Sequence, residues 1–519
     1  MIDIAFISPS NARNTYQVLS NKYSAIEPPT WALLLAESCR SKGFTPVIID
    51  CLAEGLDDKS AIERIKIIKP RILCFVVYGQ NVNSGSTSMS GAVRLANAIK
   101  KAKLKIPVCF IGSHVQALPK QTLVNEKSID FALLNEGVYS IIKLLSLKNF
   151  SFSNLKKVPG LVIRKFSKIY FTDPGEIVSH ENMDRDMPGY AWDLLPFKKK
   201  PLDLYRSPYW HAEYKEEFRR PYAAIQTSLG CKFKCGFCMI NLINKNDNLE
   251  TSVASKYNVM RHWSIKFVEE QFKKLIKLGV TTIRITDEMF LLNKKYYLPI
   301  IDVLIKLNKN DKLKLWTYSR IDTVPNPDIL RKIRRAGIKW LCLGIESGNK
   351  NIRLEVAKGK FEQVKVEEVV KQIEDADINI MGNYIYGLPG DDKETINETY
   401  KLSTKLNTLG WNTYVAMALP GSPLYVEAIK KGIRVPKKYE EYAWLSYETV
   451  PLPTKKLQPH EILSIRDEYF LRYFKRKKFL KKVKEKFGRN AIKNINEMTK
   501  IKLKRKVIEE ANRRKKKVL

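Results

Sequence analysis

The sequence predicts an α/β chain of two sheets in series: a doubly wound parallel sheet, then a partial (β/α)6 barrel, then a helical C-terminal extension. Three observations predict it. Short apolar runs alternate with helix-period stretches over residues 1–145 and again over 223–425. Several runs, such as Arg71–Tyr78, are apolar throughout rather than alternately, as in a parallel strand buried on both faces. Beyond residue 426 the strand patterns stop and amphipathic helices take over. The 519 residues divide at 1–145, 146–222 (a linker), 223–425 and 426–519.

Taken in order, Asp3–Ser8 is the first strand, and Trp31–Ser41 a helix that stops at Gly43. Thr45–Asp50, Arg71–Tyr78, Ile106–Ile111 and Ile129–Leu134 complete five strands, with helices over Ala61–Ile68 and Ser90–Lys101. In such a sheet the ligand crevice lies outside the carboxyl ends of the strands. The loops there are Gly79–Thr87, Gly112–His114 and Asn135–Gly137. Their glycines and small polar residues let a large flat ligand approach the backbone. Gly160–Thr172 reads as a hairpin inside the linker, followed by an aromatic stretch with Tyr205, Trp210, His211, Tyr214 and Tyr222. A lone histidine such as His211 is ordinarily structural; its place just before the cysteine run leaves a position facing a cavity as the alternative.

Strands over 223–425 are Ala223–Leu229, Thr282–Thr286, Leu313–Tyr318, Trp340–Ile345, Ile378–Tyr386 and Thr413–Ala418, with helices such as Val268–Leu278 and Asn326–Ala336 between them. Six units leave a barrel open, and its active site is expected at the carboxyl ends. The distinctive sequences fall there: a cysteine run after the first strand, Asp287-Glu288 after the second, Ser319-Arg320 after the third, Gly344–Gly348 after the fourth and Gly387–Gly390 after the fifth. Glu461–Phe474 and Lys477–Phe487 read as amphipathic helices, and the remainder as a basic helix or frayed tail.

Composition narrows the function classes. No stretch nears the roughly 18–20 unbroken apolar residues of a transmembrane helix, and the first residues read as a strand rather than a signal peptide. Cys39, Cys51, Cys74, Cys109 and Cys342 lie in apolar runs as buried thiols. A disulfide framework is therefore not expected, and a reducing, cytoplasmic setting is. The net charge of +37 is uneven, with 21 Lys/Arg against four Glu from Leu471 onward. That field suits an anionic substrate, a nucleic acid or an anionic surface. RNP-like aromatic motifs and zinc-finger spacing are missing, and the plainer reading is a solvated lysine-rich helix pair.

The run from Gly230 to Cys238 carries the chemistry. Cys231, Cys235 and Cys238 stand at C-x3-C-x2-C spacing. Three thiolates this close can hold three irons of a [4Fe–4S] cube and leave the fourth for an outside ligand. A structural zinc ordinarily needs four protein ligands, and the nearest downstream histidine is His262. A site one ligand short fits the cluster better.

With Phe237 before the last cysteine, these residues resemble the signature of the radical S-adenosylmethionine (SAM) enzymes. The resemblance spans the six β/α units and continues N-terminally. It implies that the three cysteines bind the cluster and that the open iron takes the amino and carboxylate groups of SAM. An electron from the cluster then cleaves SAM to methionine and a 5′-deoxyadenosyl radical. Asp287-Glu288 is similar to the family's acidic segment, with Glu288 suited to the SAM amino group. Glu346 and Ser347 are similar to the segment that bonds the ribose or methionine moiety. Arg320 either pairs with the SAM carboxylate or lines the substrate cavity. The Gly387–Gly390 and Pro420–Pro423 turns resemble those near the adenine and cavity floor, and Phe237 is counted with them as a cofactor contact.

The first domain followed by this core resembles the cobalamin-binding subgroup, with its Rossmann-like first sheet. Pro28-Pro29, Gly112–His114 with Ala117–Pro119, and Glu136-Gly137 carry the resemblance. The Asp-x-His-x-x-Gly fingerprint, whose histidine ligates cobalt, is absent. The resemblance then implies a cobalamin without that histidine, its lower face covered by Gly79–Ser86 through Gln80 or Asn81. Ser86, His114, Glu136 and Gly137 are the other implied cofactor contacts. The implied activity is methylation of an unactivated carbon. One SAM methylates the cobalamin, a second supplies the radical that takes a substrate hydrogen, and the substrate radical takes the methyl. Arg320 and Tyr222 are expected at the substrate, a small or carrier-bound molecule with an anionic group as one option. A flavodoxin or ferredoxin is the expected electron donor. Three alternatives stand beside this reading. One is a radical oxidoreductase or cyclase of the same subgroup. Another is an RNA methylthiotransferase, against which the apolar surroundings of the N-terminal cysteines argue. The third is a nucleic-acid-binding factor using the basic tail.

Overall fold

Strands β1 (Ile4–Ser8), β2 (Pro46–Asp50), β3 (Ile72–Val76), β4 (Val108–Ile111) and β5 (Phe131–Leu133) pair in parallel in the order β2-β1-β3-β4-β5. The computed structural model describes residues 1–356 and 363–518. In β3, Ile72, Cys74 and Val76 join one apolar cluster, and Leu73 and Phe75 another. Helices Thr30–Arg40 and Val138–Leu145 cover the first face, and Asp58–Ile68 and Gly85–Lys101 the second. Burial on both faces is why these strands are apolar at every position. The strand order changes direction between β1 and β3, the topological switch point of this sheet.

β6 (Leu161–Lys165) and β7 (Lys168–Phe171) add antiparallel to the β5 edge. The hairpin expected in the linker thus belongs to the first sheet and covers an edge that β5 alone would leave unpaired. The helix expected from Ser90 starts at Gly85, fed by the single turn Val82–Ser84, so part of the expected Gly79–Thr87 loop is helical.

β8 (Tyr222–Ile225) opens the second sheet, while β9 (Ser228–Gly230) pairs antiparallel with β10 (Met260–His262). β11 (Thr282–Ile285), β12 (Lys314–Arg320), β13 (Ile338–Glu346), β14 (Asn379–Tyr386) and β15 (Gly410–Val415) follow, giving an all-parallel sheet ordered β15-β14-β13-β12-β11-β8. The sequence predicts one strand over Ala223–Leu229; the chain breaks instead at Gln226 and Thr227. Their backbone groups are drawn elsewhere: Gln226 N–H donates to Tyr190 Oη at 2.9 Å and Thr227 N–H to Asp287 Oδ1 at 2.6 Å.

The two sheets are stapled together. Glu136, after β5, pairs with Arg261 of β10 at 2.7 Å, the two side chains 0% and 3% exposed. Removing one member leaves an uncompensated buried charge. Glu136→Gln is therefore expected to lose roughly 3–5 kcal/mol, read as an earlier midpoint in urea at unchanged slope.

The C-terminal extension is docked rather than frayed, in helices Pro459–Phe474, Lys477–Phe487, Arg489–Lys500 and Lys506–Val518. Buried Arg505 donates to Asp467 and to the Trp444 and Ser446 carbonyls. Gln17 Nε2 donates to the Leu445 and Lys504 carbonyls, Lys504 N–H donates back to Gln17, and Lys22 pairs with Glu497 at 2.7 Å. The extension thereby holds the short helices Ala12–Tyr16 and Leu19–Lys22 in place. Among the described residues no helix is long and apolar enough to cross a membrane.

Candidate active site

β9 ends at Gly230, where φ is 82° and a Cβ would collide with the Val259 carbonyl, so only glycine fits. The cysteine loop follows. Cys231 is buried, Cys235 and Cys238 are half-buried, and none is in a disulfide. Cys231 N–H donates to Asn241 Oδ1 at 2.7 Å, Cys238 N–H to the Cys235 carbonyl at 3.2 Å, and Leu424 N–H to the Gly236 carbonyl at 2.9 Å. Burial pushes all three thiols up, Cys231 to about 12. Arg320 opposes this at Cys235, with Nη1 3.9 Å from Sγ and its guanidinium 3.6 Å from the Phe233 ring centre. The donors fit a cube, with three thiols on one short loop, each able to take a different iron.

Two carboxylates stand on the same rim. Glu288 follows β11 and lies within electrostatic reach of Cys231 and Cys238. Burial pushes it up to about 8; Arg284 acts against the shift and Asp287 adds to it. Glu346 ends β13 where the register with β14 slips, at φ 63°, and lies within reach of Cys235. Burial pushes it up to about 7, against Arg320. Its Oε1 would sit 2.8 Å from a Cβ on Gly344, so that glycine makes room for the carboxylate. Asp287 has a different task. Its carboxylate accepts from Thr227 N–H, Thr227 Oγ1 and Ser228 Oγ, each at 2.6 Å, which fixes the strand break that aims the cysteine loop.

Deeper in the barrel, Arg284 pairs with Glu27 at 2.5 Å, their side chains 2% and 6% exposed. The guanidinium lies 4.7 Å from the Trp316 ring and 5.3 Å from that of Tyr318. Sequence reading missed this pair. Its members lie 257 residues apart, so no local spacing announces them, and only Pro28-Pro29 beside Glu27 had drawn attention.

A crevice of about 120 Å3 lies at the carboxyl ends of β1 and β3. This is the switch point of the first sheet. Ser8, Thr15, Tyr16, Glu27 and Gln80 are among its lining residues. Glu27 thus belongs to the crevice wall and to the barrel floor. Asn83, on the same loop as Gln80, donates through Nδ2 to Cys238 Sγ at 3.7 Å and accepts from Met239 N–H at 2.9 Å. The crevice loop and the cysteine loop are in contact.

Other expected cofactor contacts fall elsewhere. Asn81 Oδ1 accepts from Ser84 Oγ at 3.4 Å within the turn. Buried Ser86 bonds His114 Nδ1 at 2.9 Å, and the rings of Tyr439 and Tyr442 enclose His114, whose pKa burial pulls down to about 4. Glu136 is committed to Arg261 and to the Val178 N–H. Gly137, at φ 89°, turns the chain where a Cβ would meet Ile111 Cδ1 at 2.5 Å. Ser86, His114, Glu136 and Gly137 therefore pack the first domain and its seams; none lines the crevice. Ser347 is buried with Oγ 3.1 Å from Thr399 Oγ1, fixing the turn after β13. Tyr222, expected at the substrate, is wholly buried and donates to Glu27 Oε1 at 3.2 Å, supporting the floor pair. Gly387 and Leu388 N–H both donate to Asp391 Oδ2 at 3.0 Å, and half-buried Phe237 packs in one apolar cluster with Leu388 and Ile385. His211 is structural, with Nε2 2.7 Å from the Lys314 carbonyl.

Residues 225–403 match the family model of the radical SAM superfamily. An uncharacterized methyltransferase of Pyrococcus horikoshii is 25% identical over 470 residues, covering 89% of this chain and 91% of its own. An anaerobic magnesium-protoporphyrin IX monomethyl ester cyclase of Cereibacter sphaeroides is 22% identical over 469 residues, covering 87% of this chain and 67% of its own. Among solved structures, the radical SAM methyltransferase TsrM of Kitasatospora setae, with cobalamin and a [4Fe–4S] cluster bound, superposes with a TM-score of 0.63 at 14% identity, over 89% of this chain and 90% of that one. OxsB, a cobalamin-dependent SAM radical enzyme with aqua-cobalamin and SAM bound, gives 0.63 at 14% identity, over 94% and 70%. At such identities the structural likeness speaks for the fold, which is that of these two-sheet enzymes. The matched domain occupies the second sheet, with the cysteine loop at its rim: over residues 225–403 the chain carries a radical SAM domain.

Proposed function

We propose that the protein is a cobalamin-dependent radical SAM methyltransferase acting on an unactivated carbon of a small or carrier-bound substrate. The observation that carries this is the contact between the two loops: the crevice of the first sheet adjoins the cysteine rim of the second through Asn83 and Cys238. When bound, a [4Fe–4S] cluster with SAM supplies a 5′-deoxyadenosyl radical, and a corrinoid supplies a methyl group. The chain's residues bind and orient. Cys231, Cys235 and Cys238 hold the cluster by three irons. Glu288, protonated in the ligand-free pocket, gives up its proton to meet the SAM amino group. Glu346 accepts from the ribose or methionine moiety. Arg320, fixed by Asp322 and Phe233, offers a cation to the SAM carboxylate. Phe237 and the Gly387 turn make the apolar shelf for the adenine, and Gln80 contacts the corrinoid. The Glu27–Arg284 pair closes the floor.

A cyclase reaction is the second reading, favoured by the cyclase similarity over 87% of the chain. The test begins with protein made in cells fed hydroxocobalamin and purified without oxygen. Stoichiometric corrinoid is expected, and Thr15→Trp, which fills the crevice, should lose it while keeping iron. Corrinoid retained in that variant would remove the crevice from the proposal. With a turned-over substrate, S-adenosylhomocysteine formed alongside deoxyadenosine and methylated product supports methyl transfer. Deoxyadenosine without S-adenosylhomocysteine supports cyclisation.

A further inference from the structure

We infer that Asn83 is a redox-positioning residue: carried on the crevice loop of the first sheet, it donates a hydrogen bond to the cluster ligand Cys238 and raises the reduction potential of the cluster. The inference rests on the cluster reading of the cysteine loop. Asn83 stands in the turn Val82–Ser84. Its neighbours Gln80 and Ser84 line the crevice, while its own side chain crosses to the second sheet's loop. The amide orientation is decided by chemistry. Met239 N–H can only donate, so the oxygen must face it at 2.9 Å, and that leaves the NH2 group toward sulfur at 3.7 Å. These bonds join residues 155 and 156 apart, so they are not a local turn device. The turn itself is held by Ser113 Oγ, which donates to the Val82 carbonyl at 2.5 Å, and by Ser84 N–H, which donates to the Asn81 carbonyl at 2.9 Å.

Reduction adds an electron to the cluster, and part of that charge spreads onto the thiolate sulfurs. A donor to sulfur stabilises the more negative state more, so it raises the potential. Each cysteine sulfur has such a donor close by. Cys231 has Phe233 N–H at 3.4 Å, Cys235 has Arg320 at 3.9 Å, and Cys238 has Asn83 beside the Ile240 backbone N–H. The first two come from the barrel unit; Asn83 comes from the crevice loop. The cluster is therefore easiest to reduce when the two units are docked, and a displacement of the crevice loop withdraws the donor.

The experiment is an EPR-monitored redox titration of the full-length, cluster-reconstituted protein, with Asn83→Ala and the near-isosteric Asn83→Leu. Both variants are expected to keep wild-type iron and sulfide. At a fixed poise their ratio of reduced to oxidised cluster should fall about tenfold, equivalent to ~59 mV for a one-electron couple. A potential unchanged in the leucine variant at full iron content overturns the inference, because leucine fills nearly the same space and lacks the N–H donor. Wild-type protein that takes up no iron fails the cluster reading itself, a separate result. If the alanine variant loses the loop structure, the leucine variant carries the test.

Discussion

Cys235→Ala is expected to lose nearly all cluster iron and sulfide and to reduce 5′-deoxyadenosine formation to background. The cube would keep two protein thiolates of three, and two irons would then lack a protein ligand. Cys235 is the informative position because its surroundings survive its loss. It is only half-buried. Arg320 keeps Asp322 and its stacking on Phe233. Cys231 is buried, so its truncation would mix ligand loss with a cavity. The cluster-free variant should therefore unfold within about 1 kcal/mol of the cluster-free wild type, measured in urea without oxygen. Wild-type iron content in Cys235→Ala would refute the ligand assignment.

Glu288→Gln is expected to move activity and stability in opposite directions. Burial raises Glu288 from its ordinary 4.5 to about 8. Below pH 4.5 the carboxyl is protonated in both folded and unfolded chains, and the substitution should be nearly neutral. Between 4.5 and 8 the unfolded chain ionises while the folded chain holds the proton, which penalises the folded state by about 1.4 kcal/mol per pH unit. Above 8 both are ionised and the penalty levels off. Glutamine removes it, so the ligand-free variant should gain on the order of 4–5 kcal/mol at pH 8, with the gain vanishing as pH falls to 4.5. SAM cleavage should fall at least about tenfold, since the carboxylate that meets the amino group is gone. Denaturation midpoints at pH 4.5 and 8, together with deoxyadenosine yield, check both halves. A variant less stable at pH 8 with unchanged cleavage would remove Glu288 from the site.

Much of the fold was legible because strands buried on both faces declare themselves by unbroken hydrophobicity; Arg71–Tyr78 is the plainest case. The cysteine loop was legible because its three thiols are close in sequence. What escaped was set by tertiary hydrogen bonding. Tyr190 and Asp287 break the strand at Gln226 and Thr227, and neither partner adjoins that strand in sequence. Glu136 reads as a ligand residue because a buried carboxylate beside glycine suits either a cofactor or a distant arginine, and the fold supplies the arginine, Arg261, at 2.7 Å. Ser86 and His114 bond each other for the same reason: small polar residues in a strand-end loop satisfy one another when the C-terminal aromatics Tyr439 and Tyr442 cover them. Asn83 was within the expected ligand loop, yet only the folded chain shows which side of it reaches the sulfur.

The clasp between Gln17 and Lys504, with Lys22 on Glu497, bears on biosynthesis. One wall of the crevice is built from residues near the start of the chain and is held by residues near its end. During synthesis the first sheet and the barrel can form while that wall still lacks its support. That wall is completed only once residues 497–504 have been made and can pack against it, so the crevice forms after the sheet that carries it.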